Sequence, residues 1–127
     1  MKALVVDDSR TMRRIVVRIL QQLGYETDEA ADGQQALDLL EAGSVFDLAC
    51  IDWNMPVMDG LEFVMAARAR ADWRAMTLMM VTTEAEHGQI VRALAAGAHE
   101  YMIKPFTPDA FRDKLELLGL IPTEEMV

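Results

Sequence analysis

Apolar and polar residues alternate along the chain in blocks of two different periods. Short, mostly apolar runs are typical of buried strands, and ALVV at 3–6 and TLMMVT at 77–82 are the clearest of them. Between such runs, apolar residues recur at steps of three and four, as in amphipathic helices. The first helix has this spacing at Met12, Ile15, Val16, Ile19, Leu20 and Leu23. The runs ALVV, YETDEA, FDLACID, TLMMVT and EYMI therefore predict five strands, each followed by a helix.

Strict alternation of strands and helices predicts an α/β fold of the doubly wound (βα)5 type, a five-stranded parallel sheet with helices on both faces. The residues at the predicted helix ends support these element boundaries. Ser9 or Thr11 can cap the first helix, Gly24 can end it, and Pro108 lies at the start of the last one. We expect one domain over residues 1–121, followed by a short acidic tail at 122–127.

Polar residues end four of the five predicted strands. They are Asp7 and Asp8, then Asp52, then Thr82 and Thr83, and finally Lys104 with Pro105. Any one of them alone could be a cap or a surface residue. Because the carboxyl ends of parallel strands meet at one edge, three acids and one lysine would share a crevice. Their net negative charge matches one divalent cation, and carboxylates are ligands that Mg²⁺ prefers. The pattern predicts metal-assisted phosphoryl chemistry, with Asp52 as the nucleophile.

The composition excludes several other classes. A formal net charge of −9 over 127 residues argues against nucleic-acid binding through phosphate neutralisation. The single Cys50 cannot form an internal disulfide. No apolar stretch is long enough to insert into a membrane, and the first residues lack the apolar region of a signal peptide. We therefore expect a cytoplasmic protein.

Five blocks of the sequence resemble the response regulator receiver domains, most closely the CheY-like, chemotaxis type. They are LVVDDS, TMRRIV, DWNMPVMDG, VTTEA and YMIKPF, and they cover nearly the whole chain. The offsets from Asp52 to Thr82, Tyr101 and Lys104 also match this family. The resemblance implies a flavodoxin-like strand order of 2-1-3-4-5.

The resemblance also implies a phosphorelay function. Asp52 would accept a phosphoryl group from the phosphohistidine of a sensor histidine kinase or phosphotransfer protein. Asp7, Asp8 and Asp52, with the main-chain carbonyl of Asn54, would hold Mg²⁺, for which Mn²⁺ can substitute. Asp8 is expected to be a direct ligand, and Asp7 to act through water.

Further roles follow from the same resemblance. Lys104 would pair with the phosphoryl oxygens, and its bond to Pro105 would be cis. Thr82 would move onto the phosphoryl group, so that Tyr101 rotates inward from solvent. The residues tuning hydrolysis would be Asn54, Thr83 and Glu84. A target protein would bind the face formed by helix 4, strand 5 and helix 5.

Three alternatives stay open at this stage. A receiver of this kind can act as a phosphate sink without a target of its own. A Mg²⁺-dependent phosphatase working through an aspartyl-phosphate is less favoured, because Asn54 stands where a general acid would be wanted. A flavodoxin-like electron carrier is disfavoured by the acidic turn VDDSRT at 6–11, which would repel a phosphate. We expect a signalling switch that catalyses only its own phosphorylation and dephosphorylation.

Overall fold

Strands and helices alternate in the computed structural model, which describes residues 1–83 and 87–121, without the side chain of His87. The described elements are β1 (Lys2–Val6), α1 (Arg10–Gln22), β2 (Glu26–Ala30), α2 (Gly33–Glu41), β3 (Leu48–Ile51), α3 (Gly60–Arg68), a short 3-10 helix (Ala71–Trp73), β4 (Thr77–Thr82), α4 (His87–Ala96), β5 (Glu100–Ile103) and α5 (Pro108–Leu117). Glu84 and the predicted tail at 122–127 lie outside the described residues.

The five strands form one parallel sheet in the order β2-β1-β3-β4-β5, which confirms the predicted fold. In the register, Val6 is opposite Ala30 on one side and Ile51 on the other, and Ile51 is opposite Met80. The carboxyl ends of β1 and β3 are therefore level, and β4 continues for two more residues to Thr82. The strand order reverses between β1 and β3, so the crevice where such folds bind ligands lies beside Asp7 and Asp52.

Alternate residues of the inner strands pack into two separate cores. Leu4 and Val6 belong to one core, which contains Phe63, whereas Val5 belongs to the other, which contains Phe111. The inner strands are apolar except at their ends because both of their faces are covered. Strand β2 lies at the sheet edge with most of its residues partly exposed, which explains the polar sequence ETDEA.

The helix boundaries follow the capping chemistry. The side chain of Ser9, rather than that of Thr11, caps α1 by accepting a hydrogen bond from a first-turn amide. Asp59 begins α3 with a capping box, and Thr107 caps α5 directly before Pro108. The chain thus enters α1 and α3 directly from the loops that carry the strand-end acids.

One residue of the predicted apolar face of α1 is not covered. Val16, Ile19 and Leu20 are buried against the sheet, but Ile15 is 44% exposed. The buried stripe includes Val17 but not Ile15, because the sheet covers only one side of α1. Ile15 stays at the surface next to Arg14 and Arg18.

Candidate functional site

Three carboxylates meet at the carboxyl edge of the sheet. Asp7 and Asp8 follow β1, and Asp52 follows β3, the neighbouring strand. Each offers a carboxylate oxygen that lies within 4.8 Å of those of the other two. Asp7 is buried, Asp52 is half-buried and Asp8 is exposed. The sheet thus brings together the three acids that the sequence analysis selected, with Asp8 on the solvent side.

Lys104 supplies the positive charge of the site. Its Nζ lies 2.9 Å from Oδ2 of Asp7 and 3.6 Å from Oδ2 of Asp52, and its side chain is only 8% exposed. The main-chain amide of Lys104 continues the ladder past the end of β5 by donating to the carbonyl of Thr82. The Lys104–Pro105 peptide bond is cis. One buried ammonium therefore bridges two carboxylates and leaves the site negative.

The other contacts of Asp7 and Asp52 are hydrogen bonds. Oδ1 of Asp52 accepts from the amide of Trp53 at 2.8 Å, and Oδ1 of Asp7 accepts from the amide of Ser9 at 2.8 Å. The side chain of Thr82, which is buried, also hydrogen-bonds to Asp52. These bonds fix the orientation of both carboxylates while Oδ2 of each points toward Lys104.

The surroundings of Asp52 oppose its ionisation on balance. Burial is the largest influence and raises the pKa of the Asp52 carboxyl, and the charge of Asp7 raises it further. The Lys104 ammonium, the Trp53 amide and the Thr82 side chain act in the opposite direction. The pKa nevertheless stays above its ordinary value, so Lys104 alone does not balance the carboxylates. A bound cation would relieve this imbalance.

Arg13 holds the turn that carries the first acid pair. Its Nη1 donates to the main-chain carbonyl of Asp7 at 2.8 Å, and its Nε donates to Glu29 at 2.8 Å. The arginine thus ties β2 to the turn after β1. Sequence patterns predict no role for Arg13, although it lies in the TMRRIV block. Its partner Glu29 is 16 residues away, so no local signal could have identified the contact.

The loop after Asp52 is tightly constrained. The carbonyl of Pro56 accepts from the amide of Met58 at 2.7 Å, and Val57 between them has a φ of 69°. A three-residue turn with positive φ is rare and strained, and a β-branched residue adds to the strain. At the end of the loop, a Cβ on Gly60 would collide with the main-chain carbonyl of Asp52. Close backbone approach therefore requires glycine at position 60.

The remaining predicted residues surround this centre. Asn54 and Thr83 are exposed beside the loop ends, whereas Glu84 lies outside the described residues. Tyr101 is partly buried and lines a small cavity of about 10 Å³ together with Trp53, Thr82 and Ala93. Trp53 is buried directly next to Asp52, so its fluorescence is suited to report on the site.

The ring of Tyr101 also has a cationic neighbour. Nζ of Lys114 lies 5.4 Å from the ring centroid and 3.5 Å from Glu100. The aromatic ring thus joins the cavity behind Thr82 to the surface of β5 and α5.

Comparison with known proteins agrees with this geometry. The family model for the response regulator receiver domain matches residues 3–116, so the chain belongs to that family. Over 117 residues it is 46% identical to a chemotaxis protein CheY homolog of Campylobacter jejuni, covering 91% of this chain and 90% of the relative. The chain is a receiver domain of the CheY type. No helix within the described residues has the length and apolar character to cross a membrane.

Solved structures show the same likeness. The chemotaxis response regulator CheY4 of Vibrio cholerae superposes with a TM-score of 0.84 at 38% identity, covering 92% of this chain and 97% of the other. The receiver domain of a sensor histidine kinase from Pseudomonas aeruginosa, with a magnesium ion coordinated in its active-site cleft, gives a TM-score of 0.82 at 28% identity. That match covers 91% of this chain and 94% of the other.

Proposed function

We propose that the chain is a phosphorelay response regulator whose Asp52 accepts a phosphoryl group from a histidine kinase or phosphotransfer protein. One observation carries the proposal. A partly accessible carboxylate, Asp52, lies between two further acids and a buried lysine at the reversal point of the sheet. Such a site can bind the metal and the phosphoryl oxygens in the same crevice.

The donor set fits Mg²⁺, with Mn²⁺ as a substitute. The oxygens of Asp7, Asp8 and Asp52 lie close enough together to share one ion, and all the donors are hard oxygens. Asn54 adds its main-chain carbonyl. Because Lys104 already contacts Asp7, we expect Asp8 and Asp52 to be the direct ligands and Asp7 to act through water. The ion, when bound, neutralises charge that builds up on the phosphoryl oxygens.

The residues of the site have separate roles in phosphoryl transfer. An oxygen of the ionised Asp52 forms a bond to phosphorus while the P–N bond to the donor imidazole breaks, and the imidazole keeps that electron pair. Lys104 lies where it can follow the negative charge from Asp52 to the phosphoryl oxygens. We propose that Asn54, Thr83 and Glu84 set how fast water reverses the reaction. The chain thus acts as a switch rather than as an enzyme with a separate substrate.

Thr82 and Tyr101 would transmit the effect of phosphorylation at Asp52 to the protein surface. Thr82 now hydrogen-bonds to Asp52, and a phosphoryl group there offers its hydroxyl stronger acceptors. A shift of Thr82 toward the phosphoryl group would enlarge the cavity that Tyr101 lines. The cavity beside the ring now has room for about one water molecule, which favours coupling of the two movements.

The output surface is proposed to be the face of α4, β5 and α5. Tyr101 and Lys114 lie on it, and on α4 Val91 and Leu94 are 48% and 40% exposed. Exposed apolar residues beside an aromatic ring suit a protein target. We propose a chemotaxis-like pathway in the cytoplasm, with the receiver domain at 1–121 and a tail at 122–127.

Tryptophan fluorescence during a Mg²⁺ titration tests the phosphoacceptor. The chain has two tryptophans, so the Trp73→Phe variant isolates Trp53 beside the site. We expect saturation with Mg²⁺ and a second change with acetyl phosphate or beryllofluoride, the latter absent in Asp52→Ala. Mass spectrometry should find one phosphoryl adduct on the wild type and none on the variant. An adduct on Asp52→Ala, or none on either protein, would refute Asp52 as the acceptor.

Target binding separates a switch from a phosphate sink. The protein, with and without beryllofluoride, should be presented to candidate targets such as purified flagellar switch and chemotaxis proteins. A switch binds one of them more tightly with beryllofluoride, and Tyr101→Ala weakens that difference. Equal binding in both states would instead favour the sink.

A further inference from the structure

A lysine of α5 reaches around the edge strand β5. Met102 of this strand packs into the core that contains Phe111 of α5, whereas Tyr101 packs against the opposite core, to which α4 contributes. Side chains alternate along a strand, so Glu100 points to the α5 side, as Met102 does. Lys114 belongs to α5, yet its Nζ lies 5.4 Å from the centroid of the Tyr101 ring. The lysine side chain therefore crosses the open edge of the sheet to reach this ring.

This contact indicates where the Tyr101 ring lies. A ring deep between β4 and α4 would be separated from α5 by the strand itself, because α4 and α5 cover opposite faces of the sheet. Tyr101 is instead partly exposed and borders the small cavity that Thr82 and Ala93 also line. The ring is therefore at the edge of β5, in the outward position from which the proposed movement starts.

Glu100 holds the lysine in this position. Its Oε1 lies 3.5 Å from Nζ of Lys114 and accepts a hydrogen bond from the main-chain amide of Tyr101 at 3.0 Å. The side chains of Lys114 and Glu100 are only 25% and 27% exposed, so water screens this pair less than it screens a fully exposed one. One carboxylate oxygen thus ties the ammonium to the backbone of the same tyrosine whose ring the ammonium contacts.

We propose that Glu100 and Lys114 are positioning residues of the switch, which hold the Tyr101 ring outward in the unphosphorylated state. This inference rests on the proposed function, in which the ring turns inward when Asp52 is phosphorylated. An inward turn carries the ring away from α5, so the cation–π contact is lost while the Glu100–Lys114 pair remains. A contact that exists in only one of two states shifts their equilibrium toward that state. The pair therefore raises the proportion of the resting state before phosphorylation.

Titration with beryllofluoride and Mg²⁺, followed by tryptophan fluorescence, measures this bias. Lys114 lies on the proposed output face, so binding of a target would not separate a positioning role from a direct contact. Beryllofluoride stands in for the phosphoryl group on Asp52 and favours the inward ring, so loss of the outward contact lowers its apparent Kd. We expect Lys114→Met, which keeps the length of the side chain, to lower this Kd about threefold. Glu100→Gln, which keeps an acceptor for the Tyr101 amide, should lower it about twofold.

Arg112→Met provides a matched control. Arg112 is exposed on α5 and lies two residues from Lys114, roughly 200° around the helix, and its replacement removes the same charge. The apparent Kd of this variant should equal that of the wild type. Lys114→Arg keeps a cation for the ring and should restore most of the wild-type value. Lys114→Met combined with Glu100→Gln should bind beryllofluoride no more tightly than Lys114→Met alone, because the carboxylate acts through the lysine.

Fluorine NMR of protein labelled with 3-fluorotyrosine follows the ring directly. The chain has two tyrosines, and Tyr25 is buried in the core on the α5 side, so its signal serves as a reference. Without beryllofluoride, the Tyr101 signal of Lys114→Met should already be shifted toward its position in the beryllofluoride-bound wild type.

An unchanged Tyr101 signal or an unchanged apparent Kd in Lys114→Met would overturn the positioning role. So would weaker binding of beryllofluoride, since the lysine would then favour the inward ring. If beryllofluoride does not bind even the wild type, the proposed function itself is wrong.

Discussion

Replacing Asp52 with Asn should stabilise the metal-free protein. The substitution removes a charge but keeps the volume of the side chain and an oxygen that can accept from the Trp53 amide. The half-buried Asp52 is paired with Lys104 and opposed by Asp7 and Asp8. The sign of the effect depends on which of these influences is larger.

The pairwise terms nearly cancel. At an effective dielectric constant of about 20, the separation of at most 4.8 Å between the Asp7 and Asp52 oxygens corresponds to repulsion of at least about 3.5 kcal/mol. The 3.6 Å approach of Lys104 corresponds to an attraction of about 4–5 kcal/mol. Asp8 is exposed, so its repulsion is largely screened. Burial of the Asp52 charge then decides the sign, and we expect a gain of about 1–2 kcal/mol in unfolding free energy at pH 7.

The gain should depend on pH in a defined direction. The pKa of Asp52 is raised in the folded state, mainly by burial, so folding favours the protonated form. The wild type is therefore destabilised by this group as the pH rises from the unfolded value of 3.8 through the folded one. The stability difference between Asp52→Asn and wild type should be full at pH 7 and shrink as the pH falls toward 3.8.

Urea unfolding followed by circular dichroism, with EDTA and then with Mg²⁺, measures the effect. Mg²⁺ should stabilise the wild type by preferential binding to the native state and have much less effect on Asp52→Asn. The stability difference between the two proteins should therefore become smaller or change sign. Asp113→Asn is a suitable control, because Asp113 is exposed in the middle of α5, beyond its first turn. A loss of stability in EDTA, or a gain that does not change with pH, would refute an electrostatically strained site.

Three other substitutions test single features. Val57→Gly should raise the unfolding free energy by about 1 kcal/mol, because strain at positive φ outweighs the extra entropy of unfolded glycine; Val45→Gly, equally exposed without positive φ, should lower it. Gly60→Ala should lower the unfolding free energy by about 2 kcal/mol or more and slow labelling by acetyl phosphate, since the new Cβ would collide with the main-chain carbonyl of Asp52. Gly88→Ala, whose Cβ would contact no other residue, should leave the stability unchanged or raise it. Lys104→Ala should unfold at a lower urea concentration in EDTA, because it leaves buried acids unpaired, yet it should still bind Mg²⁺ in the fluorescence titration. Its target binding should no longer respond to phosphorylation. A normal response would contradict the role of the lysine.

The sequence predicts the architecture well because both periodicities are local properties. Continuous apolar strands require a sheet covered on both faces, and glycine and capping residues fix most element ends. The strand order required the family resemblance, because periodicity does not say which strands are neighbours. The polar run ETDEA gives a partial indication, since only an edge strand can stay so exposed.

The features of the candidate site are also predictable from the sequence only in part. Asp7, Asp52 and Lys104 are predictable, because the ends of parallel strands must meet at one edge. Arg13 and the exposed Ile15 are not, since one depends on a contact with β2 and the other on how much of α1 the sheet covers. Helical spacing gives the direction of an apolar face, but not the width that its neighbours bury.

Two positions in the loop from Asp52 to Gly60 depart from the usual preferences of local structure. It follows a buried strand with an acid and places a β-branched residue at positive φ, two choices that lower stability. Neighbouring segments hold it in place: Gly33 donates to the carbonyl of Met58, and a capping box at Asp59 begins the next helix. These two unfavourable positions thus lie in the segment that carries the proposed phosphoacceptor, while its supports lie at the starts of α2 and α3. A conformation maintained from outside in this way holds Asp52 in a partly buried position where Lys104 only partly offsets the effect of burial on its charge.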